Sequence, residues 1–373
     1  RVRGAVRGGG WYRFHTWRRT TAVAEPRRQA PVRILWQDDD GQPVLLDRPV
    51  VERYLTQWRP SRAEPEHPRD GATDADGWTE VAGLYQAPPD ATHAVIELSL
   101  LWAPGGSVAW SEIYWQPSDP PAPRPVRLAA AHLRPGSGVS PEANLRLYEP
   151  LLAQAAAQRA DLVVLGECVT SISLPGGGVA AAEPVPGPST AWLGQQAQRH
   201  NLHLVAGLNE REGHLVYNTA VLIGPDGALL GKYRKVCLPR DEVASGIMAG
   251  DDYPVFDTRF GRVGMMVCYD GFFPEVARGL AANGAEVIAW PVWGCNPLLA
   301  AARAAENGVW LVSSTYEPVE SNWMLSAIWD PTGLPVAQGV AWGDLALAEV
   351  DLSRPTYWRC LGNFADQVPR HRP

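Results

Sequence analysis

The stretch Val263-Gly-Met-Met-Val-Cys-Tyr-Asp-Gly-Phe-Phe-Pro274 sets the architecture of this chain. Its first five residues are apolar or Gly, which is the composition of a short strand covered on both faces. Cys268-Tyr-Asp-Gly271 interrupts the run, and Pro274 suits the first turn of a helix whose spacing continues to 283. A buried strand, a tight turn and a helix form the repeating unit of a layered α/β domain.

Working outward, the same rhythm recurs on both sides. Upstream, strands are expected over 126–132, 161–165 and 202–208, with helices over 141–159, where Ser140 is the N-cap, and over 188–200. Runs 216–223 and 228–233 flank Gly224-Pro-Asp-Gly227 as a hairpin. Downstream come strands 285–290, 309–314, 327–330, 334–337 and 345–351, with a helix over 297–307. Before residue 120 no helical period is evident. Runs 32–37, 92–102 and 107–115 read as strands between turn signals, as in an all-β sandwich. The Pro-rich stretch Gln116-Pro-Ser-Asp-Pro-Pro-Ala-Pro-Arg-Pro125 is a stiff connector, giving domains at 1–120 and 121–373.

Composition narrows the function classes. A hydrophobic fraction of 46% and a formal charge of −7 describe a globular chain without the overall basicity of most nucleic-acid binders. The first 28 residues are rich in Arg and read as a frayed basic lead. No apolar run is long enough to span a bilayer. Five scattered cysteines without CxxC spacing point to neither a disulfide framework nor zinc, and favour a reducing compartment such as the cytoplasm. The chain begins at Arg rather than Met, which leaves room for a removed secretion signal. The His pattern predicts no catalytic metal, and no cofactor is expected.

Three chemistry-bearing residues lie at the C-terminal ends of expected strands, the edge where layered α/β folds gather ligands. Cys268 at a strand-to-helix turn is placed to project a thiol toward backbone N–H groups, although a lone Cys is more often a buried structural thiol. Glu167 ends the apolar run Leu162-Val-Val-Leu165, which makes it a candidate general base or else an exposed loop carboxylate. Lys235 belongs to Gly231-Lys-Tyr-Arg-Lys235. Of 33 basic residues only Lys232 and Lys235 are Lys, so a compact ammonium is wanted here where Arg serves elsewhere. Glu242 either anchors Lys235 or touches a substrate amine, with adjacent Asp241 competing for the role.

Glu167, Lys235 and Cys268, at separations of 68 and 33 residues, resemble the Glu–Lys–Cys triad of the nitrilase superfamily. So do the strings Tyr233-Arg-Lys235, Gly264-Met-Met-Val-Cys-Tyr-Asp270, Phe273-Pro-Glu275 and Arg303-Ala-Ala-Glu-Asn307, across residues 126–351. The half before residue 120, with eight of the sixteen Trp and its alternating strands, resembles all-β, jelly-roll-like and carbohydrate-binding-like sandwich modules. The nitrilase resemblance implies a four-layer αββα sandwich, an α/β (α+β) fold. It further implies a homodimer or higher homo-oligomer. In the implied chemistry Glu167 takes the thiol proton, Cys268 attacks, Lys235 with the Tyr269 backbone N–H holds the oxyanion, and Glu242 is the supporting carboxylate. Gly166 replaces the family's usual Pro. Tyr269-Asp270 resembles amidase and carbamoylase branches rather than the Trp-Glu of nitrilases, which favours a small amide or N-carbamoyl substrate. Nitrile hydrolysis, acyl transfer from the same thioester and an inactive binding protein are the alternatives.

Segments 168–187, 290–296 and 313–323 are the expected pocket walls, with Trp293, Tyr316 and Trp323 as substrate-binding aromatics or interface residues, and Cys295 as structural. In the N-terminal half Trp36, Trp58, Trp78, Trp102, Trp110 and Trp115 either fill a sandwich core or offer stacking faces. That half is expected to dock or cover rather than to add chemistry.

Overall fold

The structure is a computed structural model that describes residues 1–46, 50–51, 62–359 and 361–371, so Trp58 and Cys360 lie outside the described residues. The chain forms two compact units, Arg124–Leu352 and Arg1–Pro123 together with Ser353–Pro373. The sequence assigns 353–373 to the second domain; the structure groups them with the first. Within that first unit Asp366 pairs with Arg69, and Arg370 donates to His67. No local pattern encodes such a return, because its partners lie some 300 residues upstream.

The unit Arg124–Leu352 contains a seven-stranded and a six-stranded sheet. In the first, Pro125–His132, Leu162–Val164 and His203–Glu212 run parallel. Asp344–Asp351 closes one side antiparallel, and Leu215–Ile223 with Leu229–Arg234 close the other. In the second, Arg262–Met265, Val287–Pro291 and Trp310–Ser314 are parallel, with antiparallel neighbours at both ends.

Strand alternation sorts the core into layers. Leu128, Ala130, Val164 and Val205 pack in one cluster with Met265, Val287 and Ala289 of the other sheet. Ala129, Ala131, Val163 and Leu204 face the opposite way, onto Leu145, Leu152 and Leu193 of the helices. The six-stranded sheet is covered by Pro274–Ala282 and Pro297–Asn307 through Val276, Leu280, Ala300 and Ala304. The order is helix, sheet, sheet, helix.

The expected helix 141–159 is two, Pro141–Arg146 and Glu149–Ala157. Pro150 has no N–H to give the Arg146 carbonyl, and Leu147 and Tyr148 tighten to three-residue bonds with Asn144 and Leu145.

Two antiparallel sheets make up most of the first unit, beside a small sheet in which Tyr357–Trp358 pairs parallel with Val50–Val51 and antiparallel with Gly362–Asn363. Val2–Ala5, His93–Leu98 and Val32–Gln37 form one sheet; Arg69–Thr73, Thr79–Gln86, Trp11–Thr21, Ser107–Trp110 and Tyr114–Ser118 form the other. The Arg-rich lead is a correction. Residues 11–21 are not frayed but form a central strand of this sheet, with Tyr12, Phe14, Thr16 and Arg18 buried, the last paired to Asp70. Trp36 is core, and Trp110 and Trp115 pack against that core, Trp115 stacking on Tyr12 at 5.3 Å. Trp78 lies under the Arg19 guanidinium, and Trp102 is 72% exposed.

Candidate active site

Four strand ends and one short helix converge. Glu167 follows Leu162–Val164, Lys235 follows Leu229–Arg234, Cys268 follows Arg262–Met265, and Trp293 follows Val287–Pro291. Glu242 comes from the helix Arg240–Ala244. Glu242 reaches Lys235 from this helix, whereas Asp241 stays in solvent beside Arg240.

The centre is Lys235, 1% exposed. Its Nζ donates to Oε1 of Glu167 at 2.9 Å and to Oε1 of Glu242 at 2.8 Å. Asn218 Nδ2 donates to the same two oxygens, at 2.8 Å each. Two carboxylates are thus held together by one cationic and one neutral donor. An ammonium carries three N–H groups, and two are committed here. Burial opposes the charge of Lys235, but Glu167, Cys268 and Glu242 outweigh it and hold the ammonium well above its usual range. Glu167, 3% exposed, also accepts the Trp293 backbone N–H on Oε2 at 2.9 Å. Its two oxygens therefore have fixed directions. Burial raises the Glu242 carboxyl, with Lys235 opposing and Glu167 adding to the rise. Glu242 Oε2 is buried and has no hydrogen-bond partner among the described residues.

Cys268 sits at φ +39, in the left-handed region that a non-Gly residue seldom occupies, on a 3-10 turn spanning Cys268–Phe272. Asp270 holds that turn. Its Oδ2 accepts the Val267 N–H and the Tyr233 hydroxyl at 2.8 Å each, and its Oδ1 accepts the Cys237 N–H at 2.8 Å. Arg303 braces the far side by donating Nε to the Gly271 carbonyl at 3.2 Å. The Cys268 sulfur donates to the Gly294 carbonyl at 3.5 Å. Burial, then Glu167, push the thiol up, with Lys235 opposing. The Tyr269 N–H lies in the first turn of the 3-10 segment, where backbone donors have no partner within the helix.

The three aromatics named from sequence surround this cluster. Trp293 joins it through its backbone and tilts against Tyr316, with centroids 6.0 Å apart. Tyr316 is 2% exposed, and its buried hydroxyl has no hydrogen-bond partner among the described residues. Trp323 lies over Gly294, where any Cβ would strike its indole, and beside Phe272 at 6.1 Å. Cys295 is fully buried. Lys232 belongs elsewhere: it pairs with Glu210, as does Arg234.

Asn218 escaped the sequence reading. Its signal was the polar pair Asn218-Thr219 inside a strand, Leu215–Ile223, that is otherwise buried and apolar. Cys168 was also missed; it follows Glu167 at φ +48, and burial, then Glu167, raise its thiol.

The sequence model of the carbon-nitrogen hydrolase family matches residues 127–359. The chain belongs to that family. This hydrolase is 36% identical over 196 residues to a protein named nitrilase from Pyrococcus abyssi, covering 51% of this chain and 74% of that one. It is 32% identical over 252 residues to omega-amidase NIT2-A of Xenopus laevis, covering 61% and 88%. Among solved structures, Saccharomyces cerevisiae Nit3, a member of branch 10 of the nitrilase superfamily, aligns with TM-score 0.54 at 26% identity, covering 61% of this chain and 90% of that one. A mutant of the amidase from Nesterenkonia sp. AN1, bearing acrylamide added at its active site cysteine, aligns with TM-score 0.51 at 25% identity, covering 61% and 92%. These likenesses place the protein in the nitrilase superfamily as an enzyme of C–N hydrolysis. Among the described residues no helix is long and apolar enough to cross a membrane.

Proposed function

We propose that this enzyme hydrolyses the C–N bond of a small amide or N-carbamoyl compound through a thioester on Cys268. The observation that carries the reading is the buried Lys235 clamped between Glu167 and Glu242 beside the Cys268 thiol.

The sulfur attacks the carbonyl carbon as its proton passes to Glu167. The carbonyl oxygen becomes an oxyanion facing the remaining Lys235 N–H and the Tyr269 N–H. Glu167 returns the proton to the nitrogen, the C–N bond breaks, and ammonia or an amine leaves. Water then attacks the thioester, giving a proton to Glu167; the C–S bond breaks, the acid departs and the proton returns to sulfur. A base fixed on both oxygens and an ammonium fixed at two N–H groups need little reorganisation during these steps. Trp293, Tyr316 and Trp323 supply an aromatic pocket for the acyl portion, and the amide names of several relatives agree with an amide rather than a nitrile.

Mass spectrometry after brief exposure to amide substrates tests this. Acyl adducts on Cys268, ammonia release from amides above that from nitriles, and loss of both in a folded Cys268→Ala variant are expected. An inert Cys268, or turnover surviving its removal, refutes the assignment; nitriles outpacing amides refute the substrate class.

A further inference from the structure

The strand Trp11–Thr21 turns one face to the core and leaves an unusual row on the other. Tyr12, Phe14, Thr16 and Arg18 are buried, so Arg13, His15 and Trp17 point outward. The outer face of an antiparallel sheet is ordinarily polar. Here strand pairing sets Tyr114 opposite His15 on one side and the small Ala82 opposite it on the other. The rings form a continuous row, with Tyr114 to His15 at 6.0 Å and His15 to Trp17 at 5.8 Å. Tyr114 is 49% exposed. Together these residues line a groove of about 520 Å³, within the size range of small-ligand sites.

The polar groups around the row are mixed. Glu80, which accepts from His15 at 3.1 Å, and Glu112, which accepts from the Tyr114 hydroxyl at 3.2 Å, supply carboxylates. Arg13 and Gln116, opposite each other in register, have side chains with no hydrogen-bond partner among the described residues. A polyanion would meet two carboxylates with Arg13 as the unpaired cation, so nucleic acid is disfavoured. A sugar matches both halves of the groove. Its C–H face lies on a ring, and its hydroxyls pair as donors with carboxylates and as acceptors with a guanidinium or amide.

We infer that this groove, built wholly from residues of the N-terminal unit, is a binding site for a short neutral oligosaccharide. Trp17 and Tyr114 are the stacking platforms, and Arg13, Glu80, Glu112 and Gln116 read the hydroxyls. Among the described residues, none of the tryptophans singled out from sequence forms the platform; Trp36 and Trp115 belong to the core side of the same unit.

Calorimetric titration of the full chain with cellotetraose, mannotetraose and chitotetraose, against a heparin tetrasaccharide and poly-uridylate, tests the site. Saturable one-to-one binding of at least one neutral tetrasaccharide is expected. Trp17→Ala and Tyr114→Ala should each weaken it about tenfold, while Tyr114→Phe, which keeps the ring, should stay within about threefold. Amide hydrolysis should be unchanged in Trp17→Ala. Absence of saturation by all three neutral sugars overturns the inference. So does affinity indifferent to both alanine variants, binding confined to the anionic probes, or a change of oligomeric state in Trp17→Ala.

Discussion

Replacing Asn218 by Ala removes a neutral donor that two buried carboxylates share. Its Nδ2 stands 2.8 Å from Oε1 of Glu167 and 2.8 Å from Oε1 of Glu242. Hydrogen bonds to charged groups contribute about 1.5–3 kcal/mol each, so losing the pair costs on the order of 3 kcal/mol even at the low end. Lys235 still bridges the two oxygens, so the site should loosen rather than collapse. If the loss falls on the transition state, kcat/KM drops about 100-fold, because each 1.36 kcal/mol is tenfold. The Asn218 bond also lowers the Glu242 carboxyl, which burial has already raised. Without that bond this carboxyl rises further, and the acidic limb of the kcat/KM profile moves to higher pH. Asn218→Asp, which adds a third carboxylate, should be worse than Asn218→Ala. The assay is ammonia release across the acidic and neutral range, with thermal unfolding run in parallel. A kcat/KM within about threefold of the parent and an unmoved acidic limb, alongside a lowered melting temperature, would mean that Asn218 only supports the fold.

Gly207 offers a second test: an added Cβ would lie 2.7 Å from the Glu167 Cα and 2.9 Å from the Cys168 nitrogen, both backbone. Gly207→Ala should displace the Glu167 turn, lowering kcat about tenfold or more and costing about 1–3 kcal/mol of stability; full activity would show that the turn is pliant. Asp270 offers a third, because burial pushes it up to about 6 from the ordinary 3.8. A raised carboxyl favours the protonated form on folding, so its contribution is complete below about pH 3.8 and lost as pH rises through about 6. Asp270→Asn, fixed in a neutral state, should therefore gain on the parent by on the order of 3 kcal/mol across that window, whatever its absolute stability; parallel unfolding curves would contradict the burial account.

The features readable in the linear chain were those with local causes. Alternating apolar runs, Pro and Gly punctuation and helical spacing describe the backbone within a few residues, and these placed Glu167, Lys235 and Cys268 at strand ends. The scarcity of Lys drew attention to Lys235, but it marked Lys232 equally, and only the structure separates them by pairing Lys232 with Glu210. Missed were features whose causes act between distant segments. The strand 11–21 was hidden because its outward Arg residues read as a basic lead, whereas pairing with 79–86 and 114–118 makes alternate positions core.

The meeting of both glutamates on Lys235, Asp241's exclusion, the bridging role of Asn218 and the return of 353–373 to the N-terminal unit all follow from strand register and chain closure. The one-dimensional chain fixes what each segment prefers to be and which reactive groups it carries. Whether those groups meet within 3 Å depends on how sheets far apart in sequence are paired, since a side chain's neighbours are chosen by packing across the core and not by its neighbours along the backbone.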